Sequence, residues 1–552
     1  MGIPFRSCKG TCNYKWGLSP ATARLCETLG KWDYREIEGS LSAPTFESNV
    51  WRSNIRQGLS RAENWADGHR GIAGLVLAVI YFLQALGRSP QKLFWNDEYL
   101  VYWTAKLPGW GAIWTSLREL PLPIDPPLYH FLTHLGLVAG LPSELAVRMP
   151  SLLGFGVMLL CVYAFLVRRV GVPVAFAVAT FLQAAPLQYY EVEGRPYGFV
   201  TGCIAVALLC WQRAADPERT GTRWWAVAGI VVSLSAALAS HYFAGLAVAS
   251  LAVGELERTL RTRKIDLPVW VSLLLPFLVV LCYLPLLPAA LVYKSLTVAP
   301  PGVTELLVGY ELSYSPLLLP ALVVAILWPW RRDSIRPTPA QPRHEIVSAL
   351  TLFLLPCAGL LAGRFLTGHY EGRYTLSFVI GTGILLGYAL RRYHAQALGF
   401  ALLLGIGALI FGTRGGLLEL LRHAPPASAA LGSYDAPVLE RYPDLAIAID
   451  SSELLYGAAI YGNPAWKQRV VGVVNPRRLV NYETGGLATF LNWSRRGWTS
   501  TPVRDEQDFL ESHRRFLMWG DKYIWPNLVS KNAEIQFEGL LGPERVYLVT
   551  LP

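Results

Sequence analysis

The chain is short of charge. Asp, Glu, Lys and Arg make up 16% of its 552 residues while 53% are hydrophobic, against about a quarter charged in an average soluble protein. The few charges sit in short clusters between long apolar runs. That distribution excludes a water-soluble domain over most of the length and fits a polytopic helical membrane protein. The excess of base, a formal net charge of +10, is not gathered on one face as nucleic-acid binding requires. It falls mostly in short loops, where it reads as membrane orientation. Cysteine is also scarce. None of the eight follows Cys357, so the C-terminal region has no disulfide. Cys161, Cys203, Cys210, Cys282 and Cys357 lie in apolar runs and read as small hydrophobes. Cys8, Cys12 and Cys26 lack the fourth ligand of the usual zinc patterns, so unstructured or reduced thiols are the first reading and metal binding the second. No cleavable signal peptide opens the chain. Residues 1–70, polar and Arg/Ser-rich, read as a cytosolic extension or a misplaced start codon. No internal or inverted repeat is visible.

What the chain has in abundance is span-length apolar sequence. Runs lie at about 71–87, 149–167, 172–190, 198–212, 224–240, 242–257, 268–290, 314–330, 346–366, 374–390 and 396–412, which predicts about eleven transmembrane helices. The 19 Trp and 26 Tyr fit the same class, because amphipathic rings favour the interface. Leu128 to Leu141 is too short to span. It follows Asp125-Pro126-Pro127 and reads as an interfacial or re-entrant helix. With the N-terminus in the cytosol, the cytosolic loops hold Arg168, Arg169, Arg213, Arg219, Arg223, Arg258, Arg261, Arg263, Lys264, Arg331, Arg332, Arg336, Arg343, Arg391 and Arg392. The short outer loops hold Arg195, Lys294, Arg364 and Arg373, a split of roughly fifteen to four that supports this orientation. An odd number of spans puts the C-terminus outside. Residues 413–430 form an amphipathic segment and linker, and 431–552 read as a small soluble α/β domain. Its strands are expected at Asp444–Asp450, Arg469–Asn475, Arg514–Trp519 and Arg545–Leu551, with Ser451-Ser452 capping a helix through Tyr461.

Sorted by side, the ionisable residues near the membrane converge outside. FWNDEYLVYWTAK places Asp97 and Glu98 there; YYEVEGRPYG adds Glu191, Glu193, Arg195 and Tyr197; His241 and Tyr242 open a helix at the outer end. Tyr310 and Glu311 sit in an outer loop, and GHYEGRYTLS contributes His369, Glu371, Arg373 and Tyr374. Such groups are costly at this depth and mark a site; the bland alternative is a set of snorkelling side chains and salt bridges. A base, fixed cations and an apolar groove suit transfer from a lipid-linked phosphate donor. A carboxylate takes the proton of an acceptor hydroxyl or amine as it attacks. Arginines hold the phosphate and stabilise the leaving group. A polyprenyl tail lies along the helices.

Four stretches resemble the GT-C superfamily of integral membrane glycosyltransferases, in the branch of protein O-mannosyltransferases and the lipid A aminoarabinose transferase. They are the Asp97-Glu98 pair after the first span, DPPLYHFLTHLG followed by SELAVRMPSLLG, the Glu-x-Arg-Pro-Tyr of YYEVEGRPYG, and the Arg-Tyr of EGRYTLS. The resemblance covers about 70–412, a transmembrane catalytic domain over 71–412. It implies Asp97 as general base, inverting single displacement, no required cofactor and no metal, with Asp97 and Glu193 as metal ligands the alternative carried over from the oligosaccharyltransferase branch. Adjacent helical residues point about 100° apart, so Glu98 is expected to hold a nearby Arg or Lys if Asp97 faces the acceptor. Where relatives carry a lysine soon after the Pro-Pro turn, this chain has Tyr129-His130. The donor-phosphate contact therefore shifts to Arg195, Arg373 and Lys106, with Tyr197, Tyr374 and His241 around the substrate. The acceptor is a lipid, polysaccharide or protein of the cell envelope, reached from the outer face of a bacterial inner membrane. The competing readings are a transporter or lipid-linked sugar flippase, and a non-catalytic scaffold.

Overall fold

The computed structural model describes residues 61, 64–119, 125–184, 188–216, 221–288, 301–307, 310, 340–391, 437–475, 493, 501–520, 525–541 and 544–552, all within one compact unit, Ser60–Pro552. The N-terminal cysteines, Lys294, Glu311, the linker 413–430 and the runs 314–330 and 396–412 lie outside the described residues.

The other nine apolar runs fall on helices. Among the described residues four are long and apolar enough to cross a membrane: Arg70–Gln91, Ser143–Val170, Tyr197–Ala214 and Leu267–Leu286. A fifth is counted if Arg343–Phe353 and Leu355–Thr367, bent by 48°, form one span. We label the principal helices α1 (Arg70–Arg88), α2 (Asn96–Ala105), α3 (Trp110–Glu119), α4 (Leu128–Val138), α5 (Ser143–Val170), α6 (Val172–Ala184), α7 (Tyr197–Ala214), α8 (Arg223–Leu238), α9 (Ala244–Thr262), α10 (Arg343–Phe353) and α11 (Phe378–Leu390). Helix α1 leaves Leu75, Val79, Leu83 and Leu86 exposed, a row of apolar side chains that only lipid accommodates without cost. Helix α4 has 11 residues, about 16 Å of rise, half of what a bilayer core needs. It does not span, in agreement with the interfacial or re-entrant reading.

The core is helix on helix. Leu152, Phe155 and Leu159 of α5, Val178 and Leu182 of α6, Ile204 and Trp211 of α7, and Ile380 and Ile384 of α11 belong to one buried cluster. Helices α5 and α7 touch backbone to backbone. A Cβ on Gly202 would lie 2.3 Å from the Gly154 carbonyl oxygen, and one on Gly154 would lie 2.4 Å from Phe199 Cα. Small residues at a crossing allow this approach in a membrane. Gly202→Ala gains about 1 kcal/mol of helix propensity, but the methyl has only backbone to displace, and overpacking costs about 1–3 kcal/mol. Thermal unfolding in detergent is expected to show the packing term winning, with a lower midpoint for the Ala variant.

Polar groups gather at the two ends of the bundle. At one end, the C-terminus of α5 meets the N-terminus of α10 through Arg169 and Glu345, 2.6 Å apart, with the Tyr388 hydroxyl 2.5 Å from the same carboxylate. Arg258 joins Glu255 and Asp266 at 2.7 Å each, and Arg168 pairs with Asp216. These are the basic loops of the sequence pattern. The opposite end carries the acids of the candidate site.

Near the C-terminus is a six-stranded sheet, order β3-β2-β1-β4-β6-β5. Its strands are β1 (Ile447–Ile449), β2 (Val470–Val474), β3 (Val503–Asp505), β4 (Arg515–Trp519), β5 (Glu534–Leu541) and β6 (Glu544–Thr550). The first four pair in parallel and the last two add antiparallel. Helices α12 (Ser452–Tyr461) and α13 (Glu506–Ser512) follow β1 and β3, as crossovers between parallel strands require. The four strands read from the sequence are present; β3 and β5 are additions. Ser451 stands at the N-cap of α12 in extended conformation but makes no side-chain cap hydrogen bond. The sheet region is not set apart from the helices: Tyr456, Ala459 and Tyr461 of α12 share a buried cluster with Phe94, Tyr99 and Tyr102 around α2.

Candidate active site

The site is assembled from the ends of helices. Glu98 lies at the third residue of α2, and its carboxylate accepts from the Trp95 N–H at 3.3 Å, closing the first turn. Glu98 is fully buried, and Arg148 of α5 binds both its oxygens at 2.8 Å. Arg148, also fully buried, donates further to the carbonyls of Ser89, Lys92 and Leu93. The Gly194 N–H donates to Glu98 at 2.7 Å, an approach that a side chain at 194 would block, since its Cβ would meet Val147 at 2.2 Å. Glu98 therefore ties three segments to α2 and faces inward. Its role is to hold Arg148 and, at 3.9 Å, Lys92, so of the two adjacent acids only Asp97 faces the rest of the cluster.

Around Asp97 the scattered sequence groups meet. Arg373, on the turn Gly372–Thr375 before α11, lies 3.1 Å from Asp97 Oδ2, 3.5 Å from Glu193 and 2.7 Å from Glu371. Arg195, just before α7, lies 3.8 Å from Asp97 Oδ2 and 3.1 Å from Asp125. The Ser151 hydroxyl of α5 holds the Arg195 carbonyl. Both guanidiniums face the ring of Tyr197, at 5.8 and 5.6 Å from its centroid, and Arg373 also faces Trp95 at 5.1 Å. Tyr374 stacks on Tyr197 with centroids 6.0 Å apart. The Asp97 side chain is 19% exposed, whereas those of Asp125 and Glu193 are 3% and 0%. Among these three acids Asp97 is the one a substrate can reach.

Burial sets the protonation of the rest. The Glu193 carboxyl is pushed up to about 7 by burial, against the pull of Arg373 and Lys92, and neither of its oxygens has a hydrogen-bond partner. Burial likewise raises Asp125, with Arg195 opposing. His241 is lowered to about 3 by burial and by the two arginines, so the ring is neutral. Its Nδ1 accepts from the Phe243 N–H at 3.3 Å; the proton then sits on Nε2, 4.0 Å from Asp125. Glu191, paired with Arg88 at 3.3 Å, is pushed up to about 8 by burial.

These shifts have a stability consequence. A carboxyl ordinarily near 4.5 but near 7 in the fold keeps its proton where the unfolded chain has lost it. Its contribution is complete below pH 4.5 and disappears as pH rises through 7. The thermal midpoint of the protein is expected to fall between about pH 5 and pH 8, and Glu193→Gln, which cannot ionise, removes part of that fall. A Gln variant with the wild-type pH profile would refute the assignment.

The structure thus brings Asp97, Glu193, Arg195, Tyr197, His241, Arg373 and Tyr374 together. It does not bring Lys106. That residue is the C-cap of α2, roughly 14 Å along the helix from Asp97, exposed, with its ammonium over Tyr102 and Trp103. Two partners escaped the sequence reading. Asp125 was legible only as a turn signal before two prolines, and Arg148 only as part of a motif. Tyr310, placed in an outer loop by the sequence reading, packs on Phe353 and Phe378 and donates to the Phe353 carbonyl at 2.7 Å. Beside the polar cluster, an apolar groove of about 430 Å³ runs between α4, α5 and α7, lined by Leu132, Met149, Leu153, Phe199 and Val206.

Comparison with known proteins agrees with this architecture. Residues 125–283 match the family described as dolichyl-phosphate-mannose-protein mannosyltransferase. The structure is similar to that of ArnT from Cupriavidus metallidurans in the apo state, with a TM-score of 0.51 at 14% identity, over 88% of this chain and 98% of that one. ArnT from the same organism bound to undecaprenyl phosphate gives 0.48 at 14% identity over the same shares. An oligosaccharyltransferase from Archaeoglobus fulgidus in complex with Zn and sulfate gives 0.38 at 12% identity, over 81% of this chain and 67% of that one. No curated protein sequence matches the chain. The 88% shared with apo ArnT exceeds what residues 71–412 can supply, so the likeness of fold extends beyond the segment in which the sequence resemblance was read. Family match and fold both agree with the resemblance read in the sequence: residues 125–283 match the mannosyltransferase family model, and over most of its length the chain has a fold similar to that of apo ArnT.

Proposed function

We propose that the protein transfers a sugar from a polyprenyl-phosphate-linked donor to a cell-envelope acceptor by inverting single displacement. The observation that carries this reading is the meeting of Asp97 with Arg373 and Arg195, at 3.1 and 3.8 Å, in a cluster that only Asp97 opens among its three most central acids. The acceptor oxygen or nitrogen attacks the anomeric carbon. Its proton passes to Asp97. The bond from that carbon to the phosphate oxygen breaks, and the electron pair leaves with the polyprenyl phosphate. Arg195 and Arg373 are placed to stabilise the charge that develops there. The lipid tail has an apolar surface to follow in the groove beside the site. ArnT has been crystallised with undecaprenyl phosphate, a ligand of the class proposed here. No metal is needed in this scheme, since the group bridging Asp97 and Glu193 is the Arg373 guanidinium.

The eleven-span scheme belongs to the same proposal. It places the N-terminus in the cytosol and the site and C-terminal sheet outside a bacterial inner membrane. It is supported by the segregation of Arg168, Arg169, Arg258 and Arg343 at the end opposite Asp97. The acids lie at helix ends, not at broken helices in the midplane, which favours a transferase over a transporter. The test is to incubate purified protein with a panel of radiolabelled polyprenyl-phosphate sugars and envelope fractions. Label should move to acceptor with wild type and not with Asp97→Asn. Transport of a lipid-linked sugar in proteoliposomes with no transfer from any donor would overturn the reading.

A further inference from the structure

Among the described residues, the sheet region packs against the segment leading into α2. The Phe94 N–H donates to the Tyr461 hydroxyl, the last residue of α12, at 3.3 Å. The Phe94 ring lies between Tyr461, at 6.1 Å, and the Arg148 guanidinium, at 5.3 Å. One turn further along, Tyr99 packs on Tyr456 with centroids 5.8 Å apart, both rings buried. Phe94 is three residues before Asp97, and Tyr99 is two residues after it. Arg148 and Glu98 fix the inner side of this segment; α12 covers the other. Gly457 shows how close the cover is, because a Cβ there would lie 3.0 Å from the Tyr99 hydroxyl oxygen.

We propose that Tyr461 is a positioning residue for Asp97, and that α12 clamps the N-terminal turn of α2 so that the carboxylate keeps its place between the two arginines. The C-terminal sheet is then part of the catalytic scaffold. This rests on the glycosyltransferase reading for its effect on rate, but the clamp itself is a contact that is measurable without turnover. A hydroxyl that accepts one buried backbone N–H holds the chain at that residue, and misplacement of a reacting group by about 1 Å costs up to 100-fold in rate. Tyr461→Phe keeps the ring and removes only the acceptor.

The experiment uses the full chain in detergent. Hydrogen–deuterium exchange of the peptide covering Phe94 should quicken in Tyr461→Phe and in Gly457→Ala. In transfer assays both should lose about tenfold in kcat, with KM for the donor within twofold and the thermal midpoint near that of wild type. The second site separates positioning from general damage. Tyr99→Phe alone should retain wild-type exchange and rate. Combined with Gly457→Ala it removes the oxygen the new methyl meets, and should restore both. The proposal is overturned if exchange at Phe94 is unchanged in either variant, if exchange rises while kcat stays within twofold of wild type, or if Tyr99→Phe fails to relieve Gly457→Ala. Were wild-type protein to transfer no sugar at all, the glycosyltransferase reading would fall, and the exchange measurements alone would uphold or overturn the clamp.

Discussion

Asp97→Asn is expected to lower transfer by roughly 10²- to 10⁴-fold, the usual contribution of a positioned general base, with the amount of folded protein unchanged. Asn keeps the shape of the side chain and one acceptor oxygen, so the turn of α2 is not disturbed. What it loses is the ability to take a proton. The two arginines keep other partners: Arg195 has Asp125 at 3.1 Å, and Arg373 has Glu371 at 2.7 Å and Glu193 at 3.5 Å. No buried cation is stranded, and the two ion pairs lost, to Arg373 and Arg195, involve a partly exposed carboxylate and are worth at most about 1 kcal/mol each. Stability and catalysis therefore separate cleanly at this residue. The check is initial rate at saturating donor, with the thermal midpoint measured on the same preparation. Activity within tenfold of wild type would remove Asp97 from the role of base and leave the cluster as a structural one.

Arg148→Ala is expected to have the largest effect on the fold itself. Both it and Glu98 are fully buried, and removing one partner of such a pair costs about 3–5 kcal/mol, because the other charge stays behind without its principal partner. The carbonyls of Ser89, Lys92 and Leu93 would lose their donor at the same time. The Gly194 and Trp95 N–H groups still reach Glu98 and the Lys92 ammonium stays 3.9 Å away, but none of them replaces the two 2.8 Å bonds from the Arg148 guanidinium. The expected result is little protein in the membrane fraction and a thermal midpoint many degrees below wild type. The double variant Arg148→Met with Glu98→Leu removes both charges and fills the volume; it should recover part of the loss, as replaced buried pairs do. A single variant that melts with wild type would show that the pair contributes nothing.

Much of this was legible in the sequence because the relevant physics is local. A bilayer demands about 20 apolar residues per span, so nine runs could be placed on described helices. The basic loops sort by side for an equally local reason. Asp97, Glu193, Arg195 and Arg373 could be named as one set since each stands at a helix end on the same side. What the sequence hid was pairing across the fold. That Glu98 points inward depends on Arg148, 50 residues away, and nothing within either stretch records the partner. Lys106 was named because no lysine follows the Pro-Pro turn; the rise of α2 separates it from Asp97. In the sheet, β3 is three residues with Arg and Asp in it, and β5 carries a bulge at Phe537/Gly539. β3 is too short to show the alternation by which a strand is recognised, and in β5 the alternation of Glu534–Glu538 stops at the bulge.

The contact of α5 with α7 through Gly154 and Gly202 has one more implication. Two helices joined backbone to backbone, with no side chain between them to compress, make a stiff plate. Arg148, Ser151, Arg195 and Tyr197 all ride on it or at its edge. Arg373 rides on a separate turn, where Tyr370 and Thr375 are seated on Gly359 and Gly363 of the preceding helix; a Cβ would lie 2.5 Å from Tyr370 at either position. The two arginines that face Asp97 are thus carried by two independent close-packed supports, so that their spacing is set by how one support stands against the other.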